Sequence, residues 1–120
     1  MPRSLVHADL INGNVHVQGD SISGVFDWGC ALYGDHLYDL AWLEFWSPWH
    51  WNLDVGRLRR ALGRTWRRNG GEPTGANRRL LACHRHIGLD HLAYSAHLGH
   101  QRAIVDVAHR MRTVTAELAR

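Results

Sequence analysis

His7-Ala8-Asp9-Leu10-Ile11-Asn12-Gly13-Asn14, with Asp27 thirteen residues later in Val25-Phe26-Asp27-Trp28-Gly29, decides how this chain folds. Between the two pieces Val15 and Val17 alternate with His16 and Gln18, the period-two pattern of a half-buried strand. Gly19-Asp20 is a turn signal, and Ile22, Val25 and Phe26 begin a second strand. The spacing predicts a β-hairpin from about Asn14 to Asp27, which returns Asp9, Asn14 and Asp27 to one edge as loop residues. Upstream, Ser4 to Val6 is a short β-prone run that leads into His7.

Downstream of Asp35 the pattern turns helical. Asp35 is placed to N-cap a helix over 36–46, which Ser47-Pro48 ends. Tyr38, Ala41, Trp42, Phe45 and Trp46 surround that helix with apolar surface, so it should be buried. Asp54 can cap a second helix to about Arg68, ended by Asn69-Gly70-Gly71. After a loop at 70–76, a long third helix is expected over about 77–98 and a fourth over about 103–118. The expected fold class is α+β: a catalytic-loop hairpin followed by a mainly helical subdomain. No internal repeat or low-complexity segment interrupts it.

The length of 120 residues suits one modest domain. A composition 45% hydrophobic and 21% charged excludes a wholly disordered chain. The net charge of +3 comes from arginines concentrated between Arg57 and Arg85 and near the C-terminus, a balance that speaks of solubility and attraction, not of activity. Cys30 and Cys83 form no CxxC pair, so a reducing, cytoplasmic setting is expected. No leader-like apolar stretch follows the N-terminus, and no apolar run approaches the roughly 20 residues that span a bilayer, so no membrane partner is expected.

The chemistry lies in the pattern HxDxxxxN, a hairpin-length gap, and a hydrophobic-Asp-aromatic-Gly turn. Phosphoryl transfer needs one carboxylate to meet an acceptor hydroxyl, and a second carboxylate with an amide oxygen to hold Mg²⁺ against nucleotide phosphates. Asp and Asn favour turns in any protein. The ordered combination is much harder to produce by turn preference alone.

His7 to Asn14 resembles the HGDLHPGN-type catalytic loop of aminoglycoside phosphotransferases and of the related choline and fructosamine kinases. Val25 to Trp42 resembles the IDWxxAxxGDPxxDLA stretch that follows it, and the close match covers Leu5 to Trp46. Phe45 to Trp49 and Arg85 to Leu92 look most like hygromycin B phosphotransferase-like members. His36 stands where the family often has proline, and Ile11-Asn12 where it often has His-Pro. The resemblance implies the C-terminal lobe of a protein-kinase-like fold, with ATP as phosphate donor, Mg²⁺ as cofactor and a small hydroxylated molecule such as an aminoglycoside as acceptor. It implies Asp9 as catalytic base and Asn14 and Asp27 as metal ligands. It further implies His7 as the residue orienting the loop, and Asp39 as the buried helix acid that fastens the loop's amides. Polycationic aminoglycosides need carboxylates, and Glu44, Asp54 and Asp90 are the acids suitably placed to bind such a substrate.

The family also has a nucleotide-binding lobe with a strand lysine, whereas this sequence contains no lysine. Residues 1–120 are therefore expected to form a partial kinase domain, with 1–34 as loop and metal hairpin and 35–120 as the helical substrate subdomain. The N-terminal lobe is expected to be absent, the chain alone a poor enzyme, and the uncovered interface a surface for self-association. Two readings compete: a non-catalytic remnant or interaction domain, and a basic, Trp-rich nucleic-acid-binding module. The histidines around His84 to His100 include no HxxxH pair, which argues against zinc. Trp42 and Trp46 read as core, and Trp49 and Trp51 as pocket-lining.

Overall fold

The computed structural model describes residues 3–11 and 13–118, so Asn12 of the loop motif lies outside the described residues. The chain order is β1 (Ser4–Val6), β2 (Val15–Gln18), β3 (Ser21–Val25), β4 (Leu32–Gly34), α1 (Leu37–Trp46), α2 (Val55–Arg68), α3 (Ala76–His97) and α4 (Gln101–Leu118). Short 3₁₀ turns occupy Trp28–Cys30 and Ser47–Trp49. The architecture is α+β, with two small antiparallel ribbons set on a helical body.

β2 and β3 form the expected hairpin, with Val15 opposite Val25 and Gln18 opposite Ser21. An irregularity between His16 and Val17 shifts the register, which tightens the local twist. β4 was not anticipated. It is three residues long and ends in glycine, too short to show periodicity. It is a strand because β1 lies antiparallel to it, with Leu5 opposite Tyr33. That pairing brackets the whole catalytic segment, so residues 7–31 form an excursion between two paired strands.

α1 supplies Leu37, Leu40, Ala41 and Phe45 to the core. α3 supplies Ala76, Leu80, Cys83 and Ile87, and α4 adds Val107 and Val114. The spacing of three and four along α1 and α3 puts these residues on one stripe each. Phe45 and Ile87 are fully buried, and burial of each such side chain is worth about 1.5–3 kcal/mol. α3 and α4 approach closely because Gly88 on α3 offers no side chain where Met111 of α4 packs. α2 has no buried residue. It lays only the half-buried Leu58, Leu62 and Trp66 on the core, and most of its arginines face solvent.

α1 starts one residue later than the sequence suggests, at Leu37, with His36 at the cap position and no capping bond from its side chain. Asp35 still performs the satisfaction expected of a cap, since its Oδ1 accepts from the Leu37 amide at 3.0 Å. It also receives Arg79 of α3 on both oxygens, from Nε and Nη2 at 2.6 Å each. A bidentate pair of this kind fixes orientation as well as distance, so α1 and α3 are locked at one end by charge and along their length by apolar packing.

Candidate active site

The loop after β1 is held from below. Asp39 of α1 accepts hydrogen bonds from the successive backbone amides of His7, at 3.1 Å, and Ala8, at 2.8 Å. Ala8 sits in the left-handed region at φ 63°, a conformation costly for a residue with a β-carbon. The two charge-assisted bonds offset that cost and turn the chain toward Asp9.

His7 is 2% exposed and spends both ring nitrogens. Its Nδ1 accepts from the Asp9 amide at 3.2 Å. The proton must then lie on Nε2, which donates to the Phe26 carbonyl at 2.7 Å. One neutral imidazole thereby joins the Asp9 loop to the residue before Asp27. The ring also packs on Trp28, centroids 4.6 Å apart, and Trp28 Nε1 donates to the Val25 carbonyl at 3.0 Å.

Asn14 closes the loop from the other side. Its Nδ2 donates to the Asp9 carbonyl at 2.8 Å and to Asp9 Oδ2 at 3.2 Å. Both partners are acceptors, so the network assigns the amide orientation and turns Oδ1 away from Asp9. Asn14 O in turn accepts from the Phe26 amide at 2.8 Å. Asp27 follows at φ 54°, ψ 68°, with its Oδ1 accepting from the Gly29 amide at 3.4 Å. A carboxylate and an amide oxygen on adjoining turns are hard oxygen donors of the sort Mg²⁺ takes. Asp9, Asn14, His7 and Asp39 are thus joined by hydrogen bonds around one loop, and Asp27 follows Phe26, whose backbone bonds both His7 and Asn14.

Glu44, Asp54 and Asp90 are not gathered beside that loop. Glu44 is 3% exposed and lies at a junction of helices. Arg59 of α2 meets its Oε1 at 2.5 Å and donates to Oε2 at 2.9 Å. His84 Nε2 stands 3.3 Å from Oε2. Burial raises the Glu44 carboxyl, but hydrogen bonds from His84 and Arg59 outweigh it and hold the group below its usual range. Arg110 of α4 donates to the Glu44 and Phe45 carbonyls at 2.6 and 2.9 Å. Asp54 caps α2, accepting from the Arg57 amide at 2.8 Å. Asp90 is exposed on α3, where its charge adds to the burial that pushes the Tyr38 phenol up to about 12.

The surface facing the loop comes from residues the sequence did not single out. A cavity of about 360 Å³ is bounded by Leu10, Ile11 and Gly13 on one side and by Leu43, His50, Asn52 and Leu53 on the other. No periodicity marks His50 or Asn52, since both lie in irregular chain between two helices. Trp49 packs at a tilt against Trp46, ring centroids 5.3 Å apart, and lines a groove with Arg102 and Arg110, whereas Trp51 is 98% exposed. Among the described residues no helix is long and apolar enough to cross a membrane.

A hairpin that joins an HxDxxxxN loop to a hydrophobic-Asp-aromatic-Gly turn, braced by a helix acid, defines the C-terminal lobe of a protein-kinase-like fold. The profile of the phosphotransferase enzyme family (APH) matches residues 1–71, and the chain belongs to that family. Hygromycin-B 4-O-kinase of Escherichia coli is 45% identical over 47 residues, which are 39% of this chain and 14% of that protein. Homoserine kinase of Methylocella silvestris is 51% identical over 41 residues, 34% of this chain and 13% of that protein. Among solved structures, a thermostable mutant of aminoglycoside phosphotransferase APH(4)-Ia, in ternary complex with AMP-PNP and hygromycin B, superposes with a TM-score of 0.72 at 33% identity. The match covers 93% of this chain and 36% of that one. The apo form of a thermostable mutant of the same enzyme gives a TM-score of 0.72 at 32% identity, covering 96% of this chain and 37% of that one. The chain therefore spans little more than a third of the length of the solved structures it matches.

Proposed function

We propose that the chain carries the catalytic-loop and acceptor side of an ATP-dependent phosphotransferase acting on a hydroxyl of a small molecule, aminoglycoside-like by family resemblance. The observation that carries this reading is the His7 bridge, which sets the Asp9 loop against the Asp27 turn.

Asp9 orients the acceptor hydroxyl and takes its proton as the oxygen bonds to the γ-phosphorus and the bond from that phosphorus to the leaving ADP oxygen breaks. Asn14 fixes the Asp9 carboxylate through Nδ2, so that the base is positioned before substrate arrives. Asn14 Oδ1 and Asp27 would hold Mg²⁺, which when bound supplies charge neutralisation on the nucleotide phosphates. His7 and Asp39 are positioning residues that act through the backbone. The exposed Cys30 and buried Cys83, both free thiols, fit a reducing cytoplasmic setting. The exposed cross-strand pair Leu5 and Tyr33 supports self-association through the β1–β4 face.

Titration of the labelled chain with Mn²⁺, a paramagnetic stand-in for Mg²⁺, tests the metal site. Backbone signals of Asn14, Asp27 and Gly29 should broaden first, and Asp27→Ala should abolish that selectivity. Broadening spread over unrelated acids, or unchanged in the variant, would sink the assignment.

A further inference from the structure

The outward face of α2 is made of arginine. Arg57, Arg60, Arg64 and Arg67 recur at spacings of three and four, which places them on one stripe of the helix, and Arg68 borders it. All five are exposed. Leu58, Leu62 and Trp66 take the opposite side, against the core. The stripe runs about 17 Å along the helix, at a rise of about 1.5 Å per residue. From Val55 to Gly71 the sequence has no acid, and Asp54 is engaged by the Arg57 amide at the helix start. The arginines that share ion pairs among the described residues are others: Arg59, Arg79, Arg102 and Arg110.

Two further features set this face apart from an ordinary solvated one. Gly56 and Gly63, seven residues apart, flank the stripe inside the helix, where glycine is a poor choice for stability. Arg60 and Arg67 lie over them: a β-carbon at Gly56 would stand 3.2 Å from Arg60 Nη1, and one at Gly63 would stand 3.5 Å from Arg67 Nη1. Contact with bare backbone holds these two guanidinium groups close to the helix, so less freedom is lost when each meets an anion. Trp51, four residues before α2 begins, is 98% exposed. The chain keeps it within about 14 Å of the first residue of the helix. An indole open on both faces is a stacking surface for a planar base.

We propose that α2 and Trp51 bind single-stranded nucleic acid, the arginine stripe following the phosphodiester backbone and the Trp51 indole stacking on a base. The partner is chosen by what the stripe lacks and by what lies next to it. An anionic bilayer would match the charge, but a helix that settles into a bilayer surface turns an apolar face to the lipid, and here that face is spent on the core. An acidic peptide would match the charge and leave Trp51 without a partner. Phosphodiesters supply anions at regular intervals, and the bases beside them supply flat rings. The inference goes beyond the phosphotransferase reading and does not rest on it, since none of these residues belongs to the Asp9 loop or the Asp27 turn.

The test is fluorescence anisotropy of a labelled oligothymidylate of about twelve nucleotides, titrated with the chain over a salt series without ATP or divalent metal. Affinity should fall with salt along a log–log slope of about −2 to −3, as three or four phosphate contacts require. Arg60→Gln and Arg64→Gln together should weaken binding and make that slope shallower by about 1. Trp51→Ala should weaken binding by about tenfold and leave the slope as it is, because stacking releases no counterions. Arg102→Gln, a control at an arginine already paired with Asp106, should change neither. The proposal is overturned if the oligonucleotide does not bind, or if Trp51→Ala binds as the parent does. It is also overturned if the control flattens the slope as much as the Arg60 and Arg64 changes do, which is the mark of net charge alone. Tighter binding to phosphatidylglycerol vesicles than to the oligonucleotide would assign the face to a membrane and overturn it too.

Discussion

His7 donates from Nε2 to the Phe26 carbonyl at 2.7 Å, across nineteen residues of chain. That bond ties the loop after β1 to the residue before Asp27, beside the link that Asn14 makes to Asp9 and Phe26. His7→Phe keeps the stacking surface for Trp28 and removes both hydrogen bonds. It should cost about 1–3 kcal/mol in denaturant unfolding, because buried partners are left unsatisfied. Amide exchange at Asp9 should accelerate in parallel. Unchanged protection of that amide would show that His7 only packs.

Asp39 is the second brace, and its two acceptor oxygens serve two amides. Asp39→Ala should destabilise the chain by about 2–4 kcal/mol, more than Asp39→Asn, which retains one acceptor. Equal losses for the two substitutions would contradict the bidentate role.

The Asp35–Arg79 pair predicts an acid-sensitive component of stability. Hydrogen bonding from Arg79 holds the Asp35 carboxyl below its ordinary value. The folded-state value is therefore the lower one. Its stabilisation is complete above the ordinary carboxylate range and is lost as pH falls through the folded-state value. Asp35→Asn should cost about 1–3 kcal/mol near neutrality. Its deficit relative to the parent should shrink in acid, read from unfolding curves over a pH series.

Gly88→Ala should test the α3–α4 seam. Alanine favours the helix by about 1 kcal/mol, but its β-carbon would fall on the Met111 side chain close to its base. Overpacking of this kind costs about 1–3 kcal/mol, so the net change should be destabilising. Met111→Ala in the same chain should return part of the loss, measured as a coupling energy in a double-mutant cycle.

The two thiols should separate in reactivity. Burial pushes the Cys83 thiol up to about 11, so little thiolate exists at pH 8, whereas Cys30 is exposed. Titration of the native chain with a disulfide reagent at pH 8 should release one equivalent rapidly. The second should appear only on unfolding.

The hairpin, the succession of four helices after it and the identity of the loop were legible in the sequence. Val15 to Gln18 alternates, Pro48 and Gly70-Gly71 end helices, and Asp9, Asn14 and Asp27 keep a spacing that a hairpin closes. These are local signals, carried by neighbours in the chain. The remaining features depend on partners far away in the chain. β4 exists because β1 lies beside it. Asp35 is tied to Arg79, 44 residues on, as well as to the start of α1. Glu44 is buried against Arg59 and His84, and is not presented to the loop. The wall facing the loop is built by His50 and Asn52, whose placement no periodicity encodes. Short-range pattern fixes backbone conformation, whereas the environment of a charged or aromatic side chain is set by which distant helix covers it.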